Sequence, residues 1–148
     1  MSFHNRSHQS EIVYGLKIDD PLVFIPWEAD SNSVKSIFHN EPLLHITEDY
    51  YVIKGVRLFG TLKCNIGFHF NNTLRRIELF RESYENLYES FRDFQIRLEF
   101  QFGQPNKREK TFNDFEDCTW LIQGKIEIHH YIIDRFGFEE HLYFKAVY

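Results

Sequence analysis

The sequence has 148 residues, of which 43% are hydrophobic and 18% aromatic, and its formal net charge at pH 7 is −5. A chain of this length forms one domain with a sizeable core, and so much apolar surface excludes an intrinsically disordered protein. The negative charge opposes binding to phosphate backbones and anionic lipids, so we expect neither nucleic acid nor a membrane as a partner.

The N-terminal part of the chain predicts a β-hairpin. We expect residues 1–10, which are polar and mixed, to form a frayed segment, and residues 11–148 to form the single domain. Alternating apolar residues predict a strand over 12–18 and a second strand over 22–25. The Asp-Asp-Pro sequence at 19–21 predicts the turn between them.

The next segment predicts a short helix and then a β-meander. Asp30 or Ser31 can cap the helix, because both side chains accept hydrogen bonds from free backbone N–H groups. Apolar residues alternate with polar ones over 43–80, most clearly over 62–70, which is typical of strands with one buried face. The Asn-Asn-Thr sequence at 71–73 predicts a hairpin turn.

The C-terminal half predicts a longer helix and a second meander. The helix runs from Ser83 to about Phe102 with one apolar stripe, and Gly103 is placed to be its C-cap. The polar segment 106–117 predicts a loop that contains an edge strand. Short connections then join three antiparallel strands over 118–123, 125–133 and 141–148.

The two halves share a layout. Pro42 and Pro105 follow the two helices 63 residues apart, and Gly60 and Gly124 follow the prolines 64 residues apart. Few side chains are identical between the halves. Two explanations stay open: a tandem α-β-β-β duplication, or a coincidence of spacing.

This layout resembles a known fold. A tryptophan-led helix, a meander, a helix that ends in Phe102-Gly103-Gln104-Pro105 and a second meander resemble the tandem-repeat arrangement of the β-lactamase-inhibitor-protein-like fold. The resemblance covers residues 20–148 and implies an open sheet face that could bind a protein. The chain also looks like small bacterial proteins of unknown role. Since it lacks that family's secretion signal and disulfide spacing, no β-lactamase target is implied.

The sequence contains no catalytic motif and no targeting motif. It has neither a Gly-x-Ser-x-Gly sequence nor a glycine-rich phosphate loop, and its paired acids lie in predicted turns, so we expect no enzymatic activity. Cys64 and Cys118 lack metal or redox spacing and are predicted to be reduced strand residues. No apolar window could span a bilayer and no signal peptide is recognisable, so we expect a cytoplasmic protein.

The histidines divide between the two faces of the predicted sheet. His129 and His130 are neighbours in a strand, so their side chains point to opposite faces. His130 is in phase with isoleucines and is predicted to be a hydrogen-bonded core histidine. A metal site built from His69, His129 and His141 is conceivable, but no ligand spacing supports it, and we expect no metal ion or cofactor.

We therefore predict an α+β fold in which two helices pack on one face of an antiparallel sheet of six to eight strands. Its predicted core consists of Leu62, Ile66, Phe68, Phe91, Phe94, Leu98, Ile126 and Ile128.

The opposite sheet face is the predicted binding site for another protein, as in an inhibitor or an immunity protein. The alternative is a small-ligand or metal-binding protein whose histidine-bearing face forms a pocket. The predicted partner-binding residues are Lys63, Asn65, His69, Arg76, Glu78, Lys125, Glu127, His129 and Tyr131, with Tyr143 a further candidate.

Overall fold

The computed structural model describes residues 11–82 and 86–148. In the N-terminal half the elements are β1 (Gly15–Ile18), β2 (Val23–Pro26), α1 (Ser31–Ile37), β3 (Leu44–Thr47), β4 (Tyr50–Leu58), β5 (Leu62–Asn71) and β6 (Thr73–Phe80). In the C-terminal half they are α2 (Leu87–Phe102), β7 (Lys107–Lys110), a 3-10 turn (Phe112–Asp114), β8 (Glu116–Ile122), β9 (Ile126–Asp134) and β10 (Phe138–Ala146). None of the helices in these ranges has the length and apolarity that crossing a membrane requires.

An eight-stranded antiparallel sheet organises the molecule. Its strand order is β3-β4-β5-β6-β10-β9-β8-β7, and β1 and β2 form a separate hairpin. Each half of the chain is thus a helix followed by a four-stranded meander, and the two meanders join through β6 and β10. The predicted fold class is confirmed, and β7 is the edge strand expected within 106–117. Each meander contains four strands, one more than the α-β-β-β unit of a tandem duplication would have. The additional strands, β3 and β7, are short edge strands whose residues are all exposed.

Both helices lie on the same face of the sheet. Asp30 caps α1 by accepting a hydrogen bond of 2.8 Å from the backbone N–H of Ser33. The Phe38 ring, next to α1, lies 5.7 Å from that of Phe68 on β5. At the end of α2, Trp120 Nε1 donates a hydrogen bond of 2.8 Å to the carbonyl of Gly103. All eight predicted core residues are buried.

One predicted boundary differs from the structure, and another lies outside the described residues. The first strand begins at Gly15 and not at residue 12, because Tyr14 N–H bonds to the carbonyl of Glu11 in a turn. The predicted start of the long helix at Ser83 lies outside the described residues, as does the predicted frayed segment 1–10. Within the described chain α2 follows Asn86, whose side chain accepts a hydrogen bond from the backbone N–H of Glu89.

A buried polar network joins α2 to the sheet. His130, with no exposed surface, lies 3.9 Å from the Phe91 ring, which stacks on it. Its Nδ1 is 2.8 Å from Oε1 of Gln95, and its Nε2 is 2.7 Å from Oε2 of Glu140. The Ser90 hydroxyl donates to the other Glu140 oxygen at 2.6 Å. The prediction that His130 is a hydrogen-bonded core histidine is confirmed.

Candidate interaction face

The sheet face opposite the helices carries a cluster of tyrosines, histidines and charged groups. Cross-strand pairing places Tyr50, His69 and Arg76 in one row, and Glu78, Tyr143 and His129 in the next. These side chains are half-buried by one another. We call this set, together with Tyr131, His141 and Asp117, the polar-aromatic face.

Glu78 holds one side of the polar-aromatic face together. Its Oε1 accepts hydrogen bonds of 2.9 Å from the Tyr50 hydroxyl and from Nε2 of His69. The Tyr50 and His69 rings also stack, with their centroids 4.3 Å apart. Burial alone would raise the pKa of Glu78, but the bonds from His69 and Tyr50 and the charge of Arg76 outweigh it and lower the pKa. Glu78 is therefore a carboxylate that already has its donors.

A glycine makes this arrangement possible. Gly67 lies between Val52 and Glu78 in the sheet, under the Tyr50 side chain. A Cβ atom at this position would lie 2.8 Å from Cε1 of Tyr50 and 2.9 Å from Oε1 of Glu78, closer than real Cβ contacts. The absence of a side chain at residue 67 thus lets Tyr50 and Glu78 meet over the strand.

His129 organises the other side of the face. Its Nε2 is 2.7 Å from Oδ1 of Asp117, and its Nδ1 is 3.1 Å from the Tyr143 hydroxyl. A carboxylate only accepts, so Nε2 donates to Asp117, and in the neutral ring Nδ1 then accepts from the tyrosine. The Tyr131 ring stacks on His129 at 4.0 Å and on His141 at 5.4 Å. Each ring on this side is thus fixed by at least one neighbour.

The tyrosines of the face are protonated donors at neutral pH. Partial burial is the main cause that raises the pKa of Tyr50, Tyr131 and Tyr143 above the usual value of 10.0. Nearby carboxylates add to the effect, because a negative charge opposes formation of the phenolate.

The structure brings together five of the predicted site residues: His69, Arg76, Glu78, His129 and Tyr131. Tyr143, the further candidate, lies between them. Four other predicted residues lie around them and not within the cluster. Lys63 is exposed, Asn65 accepts a hydrogen bond from the backbone N–H of Gly55, Lys125 lies in the β8–β9 turn, and Glu127 pairs with Lys145 at 3.3 Å.

Tyr50 and Asp117 are members of the face that sequence reasoning missed. Tyr50 begins β4, just before the clearest alternation, and Asp117 belongs to β8 although its segment looked like a loop. The signal that could have found Asp117 is its phase, since it lies two residues before Thr119, which pairs with His129.

The three histidines of the alternative metal site bind three different carboxylates. His69 contacts Glu78, His129 contacts Asp117, and His141 lies 3.4 Å from Glu139. Within residues 11–82 and 86–148 no group of three or more potential ligands is arranged to hold a metal ion.

A cleft adjoins the face where β6 and β10 diverge. These strands pair only through Glu78 with Tyr143 and Ile77 with Phe144. The cleft has a volume of about 260 Å³, and its lining includes Arg81, Glu140 and His141.

Comparisons with known proteins give one structural match. No protein-family model and no curated protein matches the sequence. The fold is similar to the crystal structure of a DUF4309 family protein (YjgB) from Bacillus subtilis subsp. subtilis str. 168, with a TM-score of 0.50 and 18% sequence identity over 97% of this chain and 93% of that chain. At this identity the similarity concerns the fold alone, and the resemblance to the β-lactamase-inhibitor-protein-like fold stays a prediction.

Proposed function

We propose that the chain is a cytoplasmic protein-interaction module, an inhibitor or immunity-type protein of bacterial kind, that binds its partner through the polar-aromatic face. The observation that carries the proposal is that the rings of the face hold one another in place by stacking. Tyr50 stacks on His69, and Tyr131 stacks on His129 and His141. Rings that are already ordered lose little freedom on binding, and tyrosine offers both apolar contact area and a polar group.

The composition of the face also supports a protein partner. Tyrosine and arginine are enriched at protein interfaces and at the positions that dominate binding energy. The hydrogen bonds of Glu78, His69 and His129 satisfy their polar groups within the face, so a partner that covers them leaves few polar groups without a bond. A face of this kind can be desolvated at low cost.

A pull-down from the native host tests the proposal. Replacing His129 and Tyr131 by Ala should weaken capture of a partner at least about tenfold, because buried aromatic residues at the centre of an interface dominate affinity. The matched control replaces Tyr14 and His39, which are exposed outside the sheet, by Ala. The captured protein is identified and its binding to the purified chain measured by calorimetry. Equal capture by the two double variants would contradict the proposal.

The second candidate function is small-ligand or metal binding in the cleft between β6 and β10. It is favoured by the divergence of these strands beside His141. Elemental analysis of the purified protein, with thermal shifts in Zn²⁺, Ni²⁺ and a metabolite panel, separates it from the first, since a ligand that prefers the folded state raises its stability. Stoichiometric metal or a large stabilisation would favour this second function.

A further inference from the structure

The carboxylates of the polar-aromatic face and its rim already have donors within the chain. Glu78 accepts from Tyr50 and His69, and Asp117 accepts from His129. At the rim, Glu127 pairs with Lys145, and Glu139 pairs with Arg135 at 3.1 Å. An additional cation on this face therefore has no free carboxylate beside it.

Arg76 is such a cation. It lies on β6, one of the two central strands, opposite His69. Within the described residues its side chain forms no hydrogen bond and no ion pair, and its Nε is buried without an acceptor. A partly buried guanidinium interacts more strongly with an anion than one in bulk water, because the local dielectric constant is lower.

A second free donor lies beside the same tyrosine. The guanidinium carbon of Arg76 is 5.8 Å from the Tyr143 ring centroid, and the Tyr131 ring lies edge-on to that of Tyr143 at 6.2 Å. The Tyr131 hydroxyl forms no hydrogen bond to any described residue, although both of its ring neighbours are fixed. Two donors without acceptors thus flank Tyr143.

The charges around Arg76 select the kind of anion. The charge of Arg76 acts on Glu78, the charges of Glu78 and Asp117 act on Tyr131, and the chain as a whole carries a net charge of −5. A phosphate with nearly two negative charges is repelled by this field more strongly than a carboxylate with one, while the guanidinium fork matches the two oxygens of a carboxylate.

We propose that Arg76 and Tyr131 bind a carboxylate group of the protein partner, either an acidic side chain or a chain terminus. This inference rests on the proposed function, because it names the chemical group that the polar-aromatic face recognises. It also explains why an acidic chain has, at the centre of this face, an arginine without an ion-pair partner, while the carboxylates of the face already have hydrogen-bond donors.

Nuclear magnetic resonance of the ¹⁵N-labelled protein tests the site directly, with sodium acetate as the probe and sodium chloride of equal ionic strength as the reference. Acetate should shift the Arg76 Nε–H signal and the Tyr131 ring signals with one saturable curve. Arg76→Gln should abolish saturation, and Arg76→Lys, which keeps the charge but not the fork, should weaken it about tenfold. Arg75→Gln is the matched control, because Arg75 is the exposed neighbour, and it should change the affinity less than about twofold.

Shifts that do not saturate, or that persist in Arg76→Gln, would overturn the inference, and so would tighter binding of inorganic phosphate than of acetate.

The partner assay separates this failure from that of the proposed function. If Arg76→Gln captures the partner as the unmodified chain does while His129→Ala fails to, the carboxylate site is wrong and the interaction face stands. If His129→Ala and Arg76→Gln both capture fully, the proposed function is wrong. Loss of capture in both, with saturable acetate binding, supports the two together.

Discussion

Truncation of Glu140 should destabilise the fold more than truncation of its neighbour Glu139. The two glutamates are adjacent on β10 but point to opposite faces of the sheet. The Glu140 side chain is 6% exposed and bonds to His130 and Ser90, whereas that of Glu139 is 39% exposed and pairs with Arg135 and His141 at the surface. Burial is thus the main difference between two otherwise matched substitutions.

The magnitude follows from the groups that each substitution leaves behind. Glu140→Ala leaves Nε2 of the fully buried His130 without a partner, while Ser90 keeps its bond from Arg81. Leaving a buried polar group of the neutral imidazole without its hydrogen-bond partner costs about 1–3 kcal/mol. Glu139→Ala removes an exposed pair, which contributes about 0–1 kcal/mol. Glu140→Gln should lie between the two, because its amide can still bond to both neighbours.

Urea unfolding followed by tryptophan fluorescence measures the difference, since Trp27 and Trp120 are both buried. With a slope of about 2 kcal/mol per molar urea, Glu140→Ala should lower the midpoint by about 0.5–1.5 M. Loss of less than about 1 kcal/mol, or a loss no larger than that of Glu139→Ala, would refute the assignment of His130 and Glu140 as a buried pair that stabilises the helix–sheet interface.

Three further predictions use other parts of the structure. Burial lowers the pKa of His130 below 6.5 in spite of Glu140, so protonation of this ring opposes folding. The contribution of the neutral ring to the free energy of unfolding should be complete above pH 6.5 and decrease as the pH is lowered. His130→Gln should show a smaller decrease. Gly67→Ala should displace Tyr50 from Glu78, visible as shifted Tyr50 ring signals, and weaken partner capture while the chain stays folded. Burial raises the pKa of Cys64 to about 12 and of Cys118 to about 11, so neither thiol should react with a thiol reagent at pH 8 until urea unfolds the chain; rapid labelling of the native protein would contradict this.

Periodicity predicted the faces of the strands but not their partners. The phase of β9 correctly placed His130 in the core and His129 on the opposite face, because alternation is a local property of an extended backbone. The Gly103 cap was likewise predictable, since its positive φ of 81° is a conformation that favours glycine. The bounds of the edge strand β7 were harder to predict: its sequence Lys-Arg-Glu-Lys is fully exposed and shows no apolar alternation, so only its presence within 106–117 was expected.

The hydrogen-bond partners of the two histidines could not be predicted in the same way. Asp117 and Tyr143 reach His129 from strands on either side of it, and Glu140 and Gln95 reach His130 from a strand and a helix. These hydrogen bonds depend on the register of β8, β9 and β10 and on the position of α2. Both are set by contacts between residues that are far apart in the sequence.

The same geometry explains why adjacent histidines take different roles. His130 has no exposed surface and lies between Phe91 and Glu140, where its hydrogen bonds hold α2 on the sheet and any incoming group is excluded. His129, about one quarter exposed, is fixed by Asp117 but remains in reach of a partner. Substituting His130 should therefore change the stability of the fold, and substituting His129 should change binding with little loss of stability. If unfolding experiments and binding experiments ranked the two substitutions alike, the division of the sheet into a structural face and a recognition face would be wrong.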